Sequence, residues 1–175
     1  MGIHTTLMSA IPTQSRRQTD LWGVEPKDLG NLVDILSDKV YNLVGTCSKT
    51  KGAVIEVGRI HSITSSTISR VSGTCYFEVT YDLVSLHPEI GHIYNVHVKH
   101  LYPEGIFLEF YGIKIIVPAT NVESKGYLYR DGKYCSGSQA IKKGDRVEVE
   151  VLNIRYENEY QCIGGLVAVT SRQQS

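Results

Sequence analysis

The side chains of this 175-residue chain with the clearest capacity for binding chemistry are aromatic and basic groups in its second half. The stretch GIFLEFY, from Gly105 to Tyr111, has Ile106, Leu108 and Phe110 at alternate positions. Alternate residues of a β-strand point to opposite faces, so we expect Ile106 and Leu108 to point into an interior and Phe107 to point outward with Tyr111. An exposed aromatic ring can stack on the bases of single-stranded nucleic acid.

The predicted strands on either side add basic residues to the same outward face. Valines alternate with His97 and Lys99 in one strand, and isoleucines flank Lys114 in the other. Cations beside aromatic rings contact the phosphates of single-stranded nucleic acid, which predicts an RNA-binding surface. The alternative is that Phe107 packs beneath a loop or a neighbouring domain, as many aromatic side chains do. The predicted surface comprises His97, Lys99, Phe107, Tyr111 and Lys114.

A long connection follows these strands and is rich in Gly, Ser, Tyr and Lys. Between residues 124 and 143 the basic residues outnumber the one acidic residue, Asp131, by four charges. We expect a mobile loop that attracts phosphate and loses affinity as salt rises; the alternative is a solvated loop without a binding role. The loop residues predicted to bind RNA are Lys125, Tyr127, Tyr129, Arg130 and Lys133, and the same loop contains Tyr134, Lys142 and Lys143.

Motifs for catalysis are not visible in the sequence. There is no glycine-rich phosphate loop or nucleophile elbow. Glu148 and Glu150 share one face of a predicted strand, which is typical of surface charge. The clustered histidines, His92, His97 and His100, are predicted to fall on both faces of one strand, and the four cysteines form no CxxC pair. We therefore predict no catalytic residue, no metal and no cofactor.

The composition sets broad limits on the class of protein. Lys plus Arg and Asp plus Glu number 18 each, so the net charge of the chain gives no indication of a nucleic-acid partner. No apolar run approaches the roughly 18 residues that cross a bilayer, and the start lacks the apolar core of a signal peptide. We expect an intracellular protein without membrane contact. A loose acylation pattern from Gly2 to Thr6 leaves modification of Gly2 open.

The second half of the chain contains five strand candidates with one long connection between the third and the fourth. This arrangement is typical of the OB fold, a five-stranded Greek-key barrel. In the fourth candidate the apolar residues move from odd to even positions between Val151 and Leu152, which predicts a β-bulge. The candidates are residues 92–101, 105–111, 113–118, 145–156 and 160–169.

The first half predicts one helix on a small antiparallel sheet. Apolar residues from Leu29 to Leu43 recur at helical spacing, Pro26 suits the first turn, and Gly45 suits the C-terminal cap. Strand patterns follow up to a break at His87-Pro88. The fold class is α+β and mostly β. The predicted divisions are residues 1–20 as a flexible arm or edge strand, 21–88 and 89–170 as domains, and 171–175 as a tail.

Six short motifs occur in order along the chain: EPKDLG at 25–30, LVGTC at 43–47, KGAVIEV at 51–57, GTCYFEVTY at 73–81, HPEIG at 87–91 and GIFL at 105–108. Their order and spacing resemble the larger stalk subunit of multisubunit DNA-dependent RNA polymerases, the seventh-subunit family of archaeal and eukaryotic enzymes. The resemblance covers most of residues 21–168. The junction lacks the family's usual aromatic residue and Gly-Glu, and residues 62–72 are Ser/Thr-rich rather than glycine-marked. Divergence of this kind is similar to the versions encoded by large DNA viruses.

The resemblance implies a non-catalytic subunit that docks on the polymerase core near the clamp and contacts emerging single-stranded RNA. It implies core polymerase subunits as partners and leaves a small helical stalk partner open. The location would be the virion and host cytoplasm for a viral enzyme and the nucleus for a cellular eukaryotic one. Two loops would reach the core, and their residues are Lys49, Lys51, Gly52, Ser65 and Ser66.

Two other functions are compatible with the same sequence. One is a free OB-fold RNA-binding protein that acts in translation or RNA decay. The other is a protein-docking subunit whose barrel does not bind RNA, which the neutral net charge and the acidic residues Glu148, Glu150, Glu157 and Glu159 favour.

Overall fold

The computed structural model describes residues 12–170, which form two compact units, one from Thr13 to His87 and one from Pro88 onward. The strands of the N-terminal unit build a four-stranded antiparallel sheet in the order β1–β4–β3–β2. Its elements are β1 (Gln14–Val24), a 3-10 helix (Pro26–Asn31), α1 (Leu32–Tyr41), β2 (Cys47–Ser48), β3 (Gly52–Ile68) and β4 (Cys75–Leu86).

Helix α1 covers one face of this sheet, as its apolar spacing predicts. Leu36 and Val40 are fully buried and belong to one core cluster with Val54, Tyr81 and Leu83 of the strands. Burial of such side chains stabilises a fold by about 1.5–3 kcal/mol each.

The α-helix begins six residues later than the sequence predicts. Pro26 opens a 3-10 helix, and the α-helix starts at Leu32. Gly30 and Asn31, which have low helix propensity, occupy the boundary between the two. Gly45 adopts a left-handed φ of 83° in the turn after α1.

Strand β1 lies at an edge of the sheet and pairs with β4 along its whole length. A hydrogen-bonded group anchors it: the Tyr81 hydroxyl donates to Asp20 over 2.7 Å, Gln18 donates to the same carboxylate over 3.0 Å, and the Lys51 ammonium lies 2.8 Å from it. The Trp22 ring stacks on Tyr81.

Residues 1–11, which include the acylation pattern at Gly2, and the tail 171–175 lie outside the described residues.

Burial and hydrogen bonding act in opposite directions on the Asp20 carboxyl. Burial alone would raise its pKa, but the hydrogen bonds from Lys51, Tyr81 and Gln18 outweigh burial and lower the pKa below its ordinary value. The carboxylate is therefore ionised at neutral pH, and we name this group, Asp20 with Lys51, Tyr81 and Gln18, the Asp20 cluster.

The second unit is a closed five-stranded barrel, which confirms the predicted fold class. The strand order is β11–β12–β7–β6–β5; β7 and β12 pair in parallel and the other neighbours are antiparallel. Its elements are β5 (Ile93–Tyr102), β6 (Gly105–Phe110), β7 (Ile113–Pro118), α2 (Ala119–Glu123), β8 (Leu128–Arg130), β9 (Lys133–Ser136), β10 (Gln139–Ile141), β11 (Arg146–Tyr156) and β12 (Tyr160–Thr170).

The predicted inward residues fill the barrel. Ile106, Leu108 and Phe110 of β6 are buried, as are the alternate residues of β5 and β7. The register of β11 against β12 shifts between Val151 and Asn153, which confirms the predicted bulge. A bulge that the sequence analysis missed lies in β5, where the register shifts between Val98 and His100.

The connection between β7 and β11 is not the simple loop that its composition predicts. It contains α2 and a three-stranded sheet in the order β10–β9–β8. Tyr134 is fully buried, and its hydroxyl donates to the backbone carbonyl of Tyr102 over 2.8 Å. A buried tyrosine whose hydroxyl has a partner is a favourable anchor, so this residue ties the small sheet to the end of β5. No helix among the described residues is long and apolar enough to span a membrane.

Candidate nucleic-acid interface

The outer face of β5, β6, β7 and β12 carries two parallel rows of side chains. Strand register aligns Phe107 with His100 on one side and with Ile116 on the other, and Ile116 with Ile163. We call Phe107, Ile116 and Ile163, with His100 at the end, the apolar row. These residues are half-buried or exposed, so they form a platform on the barrel surface.

The second row lies beside the first and is charged. Register aligns Glu109 with Lys114 and Lys114 with Gln161, while Lys99 pairs with Glu109 from β5. We call Lys99, Glu109, Lys114 and Gln161, together with Glu159, which pairs with Lys114, the charged row. The two rows, apart from Ile163, line a concave site of about 330 Å³, which is within the size range of binding sites for small groups. Its lining consists of Lys99, His100, Phe107, Leu108, Glu109, Lys114, Ile115, Ile116, Glu159 and Gln161.

Phe107 is held in place by a neighbouring aromatic side chain. Its ring meets Tyr102 edge-on at a centroid distance of 5.3 Å, and Tyr102 in turn stacks on His100 at 6.0 Å. Tyr102 is 46% exposed. Phe107 and His100 form the aromatic end of the concave surface, and Tyr102 packs beside both. Aromatic side chains at such a surface can stack on a base.

His100 and Tyr102 are binding-site candidates that the sequence analysis missed. Strict alternation along β5 would put His100 on the opposite face from Lys99, but the bulge brings both side chains to the exposed side. The prediction that His97 and His100 fall on opposite faces is wrong for the same reason, since both are exposed. The feature of the sequence that indicates the bulge is the polar pair Lys99-His100, which interrupts the regular alternation of apolar and polar residues in β5.

Each lysine of the charged row has a carboxylate partner. Lys99 pairs with Glu109, and the Lys114 ammonium lies 2.5 Å from Glu159. The hydrogen bond to Glu159 and the charge of that carboxylate raise the pKa of Lys114 above its ordinary value. Together the two pairs carry no net charge, so an incoming phosphate would have to compete with two carboxylates for these lysines.

Two of the predicted surface residues do not reach the concave surface. Tyr111 lies in the turn between β6 and β7 at a left-handed φ of 47°, and its ring packs edge-on against Phe110. His97 bonds to the carbonyl of Gly144 over 3.1 Å and contacts Arg146 of β11. The structure therefore brings together Phe107, Lys99 and Lys114 and separates Tyr111 and His97 from them.

The small sheet after β7 presents basic side chains on exposed positions. Arg130 and Lys133 flank the β8–β9 turn and Lys125 follows α2; all three are exposed. Tyr129 is half-buried and packs edge-on against Tyr134 at 5.3 Å. We call Lys125, Arg130 and Lys133 the basic turn.

Tyr127, which the sequence predicts to bind RNA from an exposed loop, does not lie on the surface. Its side chain is buried, and its hydroxyl donates to the Gln139 amide oxygen over 3.0 Å. The ring is part of the packing of the small sheet and offers no face to a base.

Four of the five predicted polymerase-docking residues lie within strand β3 or take part in the packing of the N-terminal unit. Ser65 and Ser66 lie within β3 rather than in a loop. Lys51 is bound to Asp20, and Gly52 is buried at a φ of 73°, where a Cβ would come within 2.5 Å of the Leu86 carbonyl oxygen. Both residues therefore support the fold.

The exposed end of the β3–β4 hairpin is instead the turn at residues 69–74. Val71 is 99% exposed and Ile68, at the end of β3, is 68% exposed. Hydrogen bonds from the Ser69 amide to the Thr74 carbonyl and from the Gly73 amide to the Ser69 carbonyl, both 2.9 Å, order this turn. Lys49 lies in the separate turn between β2 and β3 and is exposed. We call residues 68–74 the hairpin end.

No set of three or more metal-binding side chains converges within residues 12–170. The candidate interface consists of a stacking platform, a neutral charged row and a separate basic turn. Such a combination can bind a base and a phosphate at different points of the same barrel.

The sequence of the barrel matches a known family of RNA-binding domains. Residues 87–161 match the S1 RNA binding domain, a segment that runs from the start of the barrel unit into β12. A relative with the name "Putative DNA-directed RNA polymerase subunit L376", from Acanthamoeba polyphaga mimivirus, is 25% identical over 131 residues. The alignment spans 73% of this chain and 66% of the mimivirus protein, just under two thirds of its length.

Proposed function

We propose that this chain is a non-catalytic subunit of a DNA-directed RNA polymerase and that its barrel contacts single-stranded RNA. The observation that carries the RNA role is the convergence of Phe107, Lys99 and Lys114 on one concave face of a barrel that matches an RNA-binding family. The similarity to the mimivirus protein named as a putative polymerase subunit supports the polymerase role.

Within a polymerase we assign the chain to the stalk, with the N-terminal unit as the part that docks on the core near the clamp. The division of the chain at His87–Pro88 supports separate roles for two domains. The hairpin end supports docking because it presents the apolar side chains of Ile68 and Val71 in an ordered turn. Ordered apolar anchors are typical of protein interfaces. Lys49, in the neighbouring turn between strands, is a second contact in this proposal.

The cellular location of the protein would be that of the polymerase to which it belongs. The protein would be intracellular, and for a viral polymerase it would occur in the host cytoplasm and the virion. A small helical stalk partner is compatible with this assignment.

RNA contact is tested by crosslinking the full chain to a short single-stranded RNA. We expect Phe107→Ala to weaken binding roughly fivefold to a hundredfold, because stacking contributes ~1–3 kcal/mol per base. Tyr111→Ala is the matched control, since this aromatic side chain lies in the turn that follows the same strand, outside the concave surface. Thermal melting monitors folding of both variants. Equal crosslinking of the two folded variants would contradict the assignment of the site.

Polymerase association is tested by purifying the tagged chain from cells that contain the polymerase. We expect the large polymerase subunits to co-purify with the wild-type chain. The double substitution Ile68→Asp with Val71→Asp introduces charge at the hairpin end. It should abolish this association, while RNA crosslinking to the barrel persists. Failure of the wild-type chain to recover the large subunits would refute the polymerase role.

The neutral charged row favours one alternative, a docking subunit whose barrel does not bind RNA. Each lysine of the row has a carboxylate partner, which lowers the attraction for phosphate. Absence of RNA crosslinking to the folded wild-type chain, with intact co-purification, would support this alternative. A free RNA-binding protein is less consistent with the hairpin end, because such a protein does not need the exposed apolar side chains of Ile68 and Val71.

A further inference from the structure

A flat ring that stacks on the apolar row must direct one of its edges at the charged row. The two rows run side by side on the same strands. Phe107 is two residues from Glu109 on β6, and Ile116 is two residues from Lys114 on β7. Residues two apart on a strand share a face. A base on the platform therefore meets the ammonium and carboxylate groups with its edge and not with its ring face.

The charged row suits a neutral polar edge better than a phosphate. An ionised carboxylate only accepts hydrogen bonds, and an ammonium only donates them. Glu109 and Glu159 would repel a phosphate that approached their lysine partners. A ligand edge that carries hydrogen-bond donors beside an acceptor can satisfy both partners of a pair at once.

Among the four bases, guanine has the complementary edge. Its Watson–Crick edge places the O6 acceptor beside two donors, N1–H and the N2 amine, which matches an ammonium beside the two oxygens of a carboxylate. Uracil directs two carbonyl oxygens outward around a single N–H, so one oxygen would face the carboxylate. Cytosine and adenine each present one amine beside an unprotonated ring nitrogen, which is an acceptor, so they offer the carboxylate one donor where guanine offers two. Single-stranded bases are commonly recognised through such edges while they stack on an aromatic side chain.

We propose that the concave surface selects guanine in single-stranded RNA and that Glu109 is the residue that determines this specificity. Glu109 accepts hydrogen bonds from N1–H and the N2 amine, its lysine partner donates to O6, and Phe107 supports the ring. Glu159 positions Lys114 and does not contact the base. This inference rests on the proposed RNA contact of the barrel and adds the base that the site prefers.

The test measures dissociation constants of the full chain by fluorescence anisotropy with labelled ten-nucleotide oligouridylates. One central position carries guanine, inosine, adenine, cytosine or uracil. A well-formed bidentate contact discriminates between bases by roughly fivefold to a hundredfold. We expect the guanine oligonucleotide to bind at least about fivefold more tightly than the uracil one. Inosine, which lacks only the N2 amine, should fall between them.

Glu109→Gln should abolish the preference for guanine, because an amide offers one acceptor in place of two. Glu78→Gln, which makes the same change at an exposed strand position in the N-terminal unit, is the matched control and should keep the preference. Glu159→Gln should retain most of it. Circular dichroism verifies that the three variants are folded.

The outcomes separate this inference from the proposed function. Equal affinity for guanine, inosine and uracil overturns the inference and leaves RNA binding intact. Loss of the preference in Glu159→Gln but not in Glu109→Gln overturns the role assigned to Glu109. Absence of binding to every oligonucleotide overturns both the inference and the proposed RNA contact.

Discussion

Lysine–carboxylate pairs occur in both units, but their surroundings differ. Lys51 and Asp20 in the N-terminal unit are 23% and 14% exposed, and the carboxylate also accepts hydrogen bonds from Tyr81 and Gln18. Lys99 and Glu109 on the barrel are 53% and 38% exposed. The first pair is part of the packing, whereas water, and therefore a ligand, can reach the second. Exposure and additional hydrogen bonds thus distinguish a structural ion pair from one that is available for binding.

Removal of one partner should have the largest effect in the Asp20 cluster. We expect Asp20→Ala to lower the free energy of unfolding of the N-terminal unit by about 3 kcal/mol, because it leaves the Lys51 ammonium and the Tyr81 hydroxyl without their acceptor. Denaturation followed by the fluorescence of Trp22, the one tryptophan of the sequence, measures this unit because the ring stacks on Tyr81.

The matched change on the barrel is Glu109→Ala. We expect it to change the free energy of unfolding of the barrel, measured by thermal denaturation, by less than about 1 kcal/mol. Exposed ion pairs contribute no more than this to stability. Equal losses in Asp20→Ala and Glu109→Ala would contradict the distinction between the two pairs.

Acid should destabilise the N-terminal unit through Asp20. The pKa of Asp20 is lowered in the folded protein from its ordinary value of 3.8, so the unfolded chain takes up a proton at a higher pH than the folded chain does. The contribution to stability is therefore present above about pH 4 and is lost as the pH falls through the folded-state pKa. Trp22-monitored denaturation between pH 7 and pH 3 measures it. Asp20→Asn should remove this part of the pH dependence, and an unchanged profile would exclude the cluster as its source.

The salt dependence of RNA affinity should distinguish the role of the basic turn from that of the charged row. Replacement of Lys125, Arg130 and Lys133 by Ala should reduce the slope of log affinity against log salt by about 2, since each phosphate contact on a single strand contributes about 0.7. Lys99→Ala should change this slope less, because the carboxylate of Glu109 already pairs with that lysine. Anisotropy titrations of the full chain from 50 to 200 mM salt measure both, and equal slopes for the two variants would contradict the distinction.

The parts of the fold that the sequence predicts are those with regular alternation. Ile106, Leu108 and Phe110 identify the interior of the barrel because each is separated from the next by one outward residue. The bulge in β11 is predictable because apolar parity changes inside one strand. The bulge in β5 was missed because the residues after Val98, Lys99 and His100, are both polar and fit either register.

Features that depend on distant partners could not be predicted from local pattern. The small sheet after β7 has a loop-like composition, and its order depends on Tyr134 reaching the Tyr102 carbonyl. The neutral state of the charged row depends on Glu159, which meets Lys114 only because β7 and β12 pair in parallel. The choice between Phe107 and Tyr111 as the stacking residue likewise depends on the position of the turn after β6.

The parallel pairing of β7 with β12 also has a consequence for the order of folding. It closes the barrel through contacts such as Lys114 with Glu159, which are 45 residues apart in the chain. Contacts of high sequence separation form slowly, because the entropy of closing the intervening segment is lost before the contacts are gained. Gln161 and Ile163 of the binding face arrive with β12. The concave surface is therefore complete only when the barrel closes, and a nascent or partly folded chain lacks the part of it that β12 contributes.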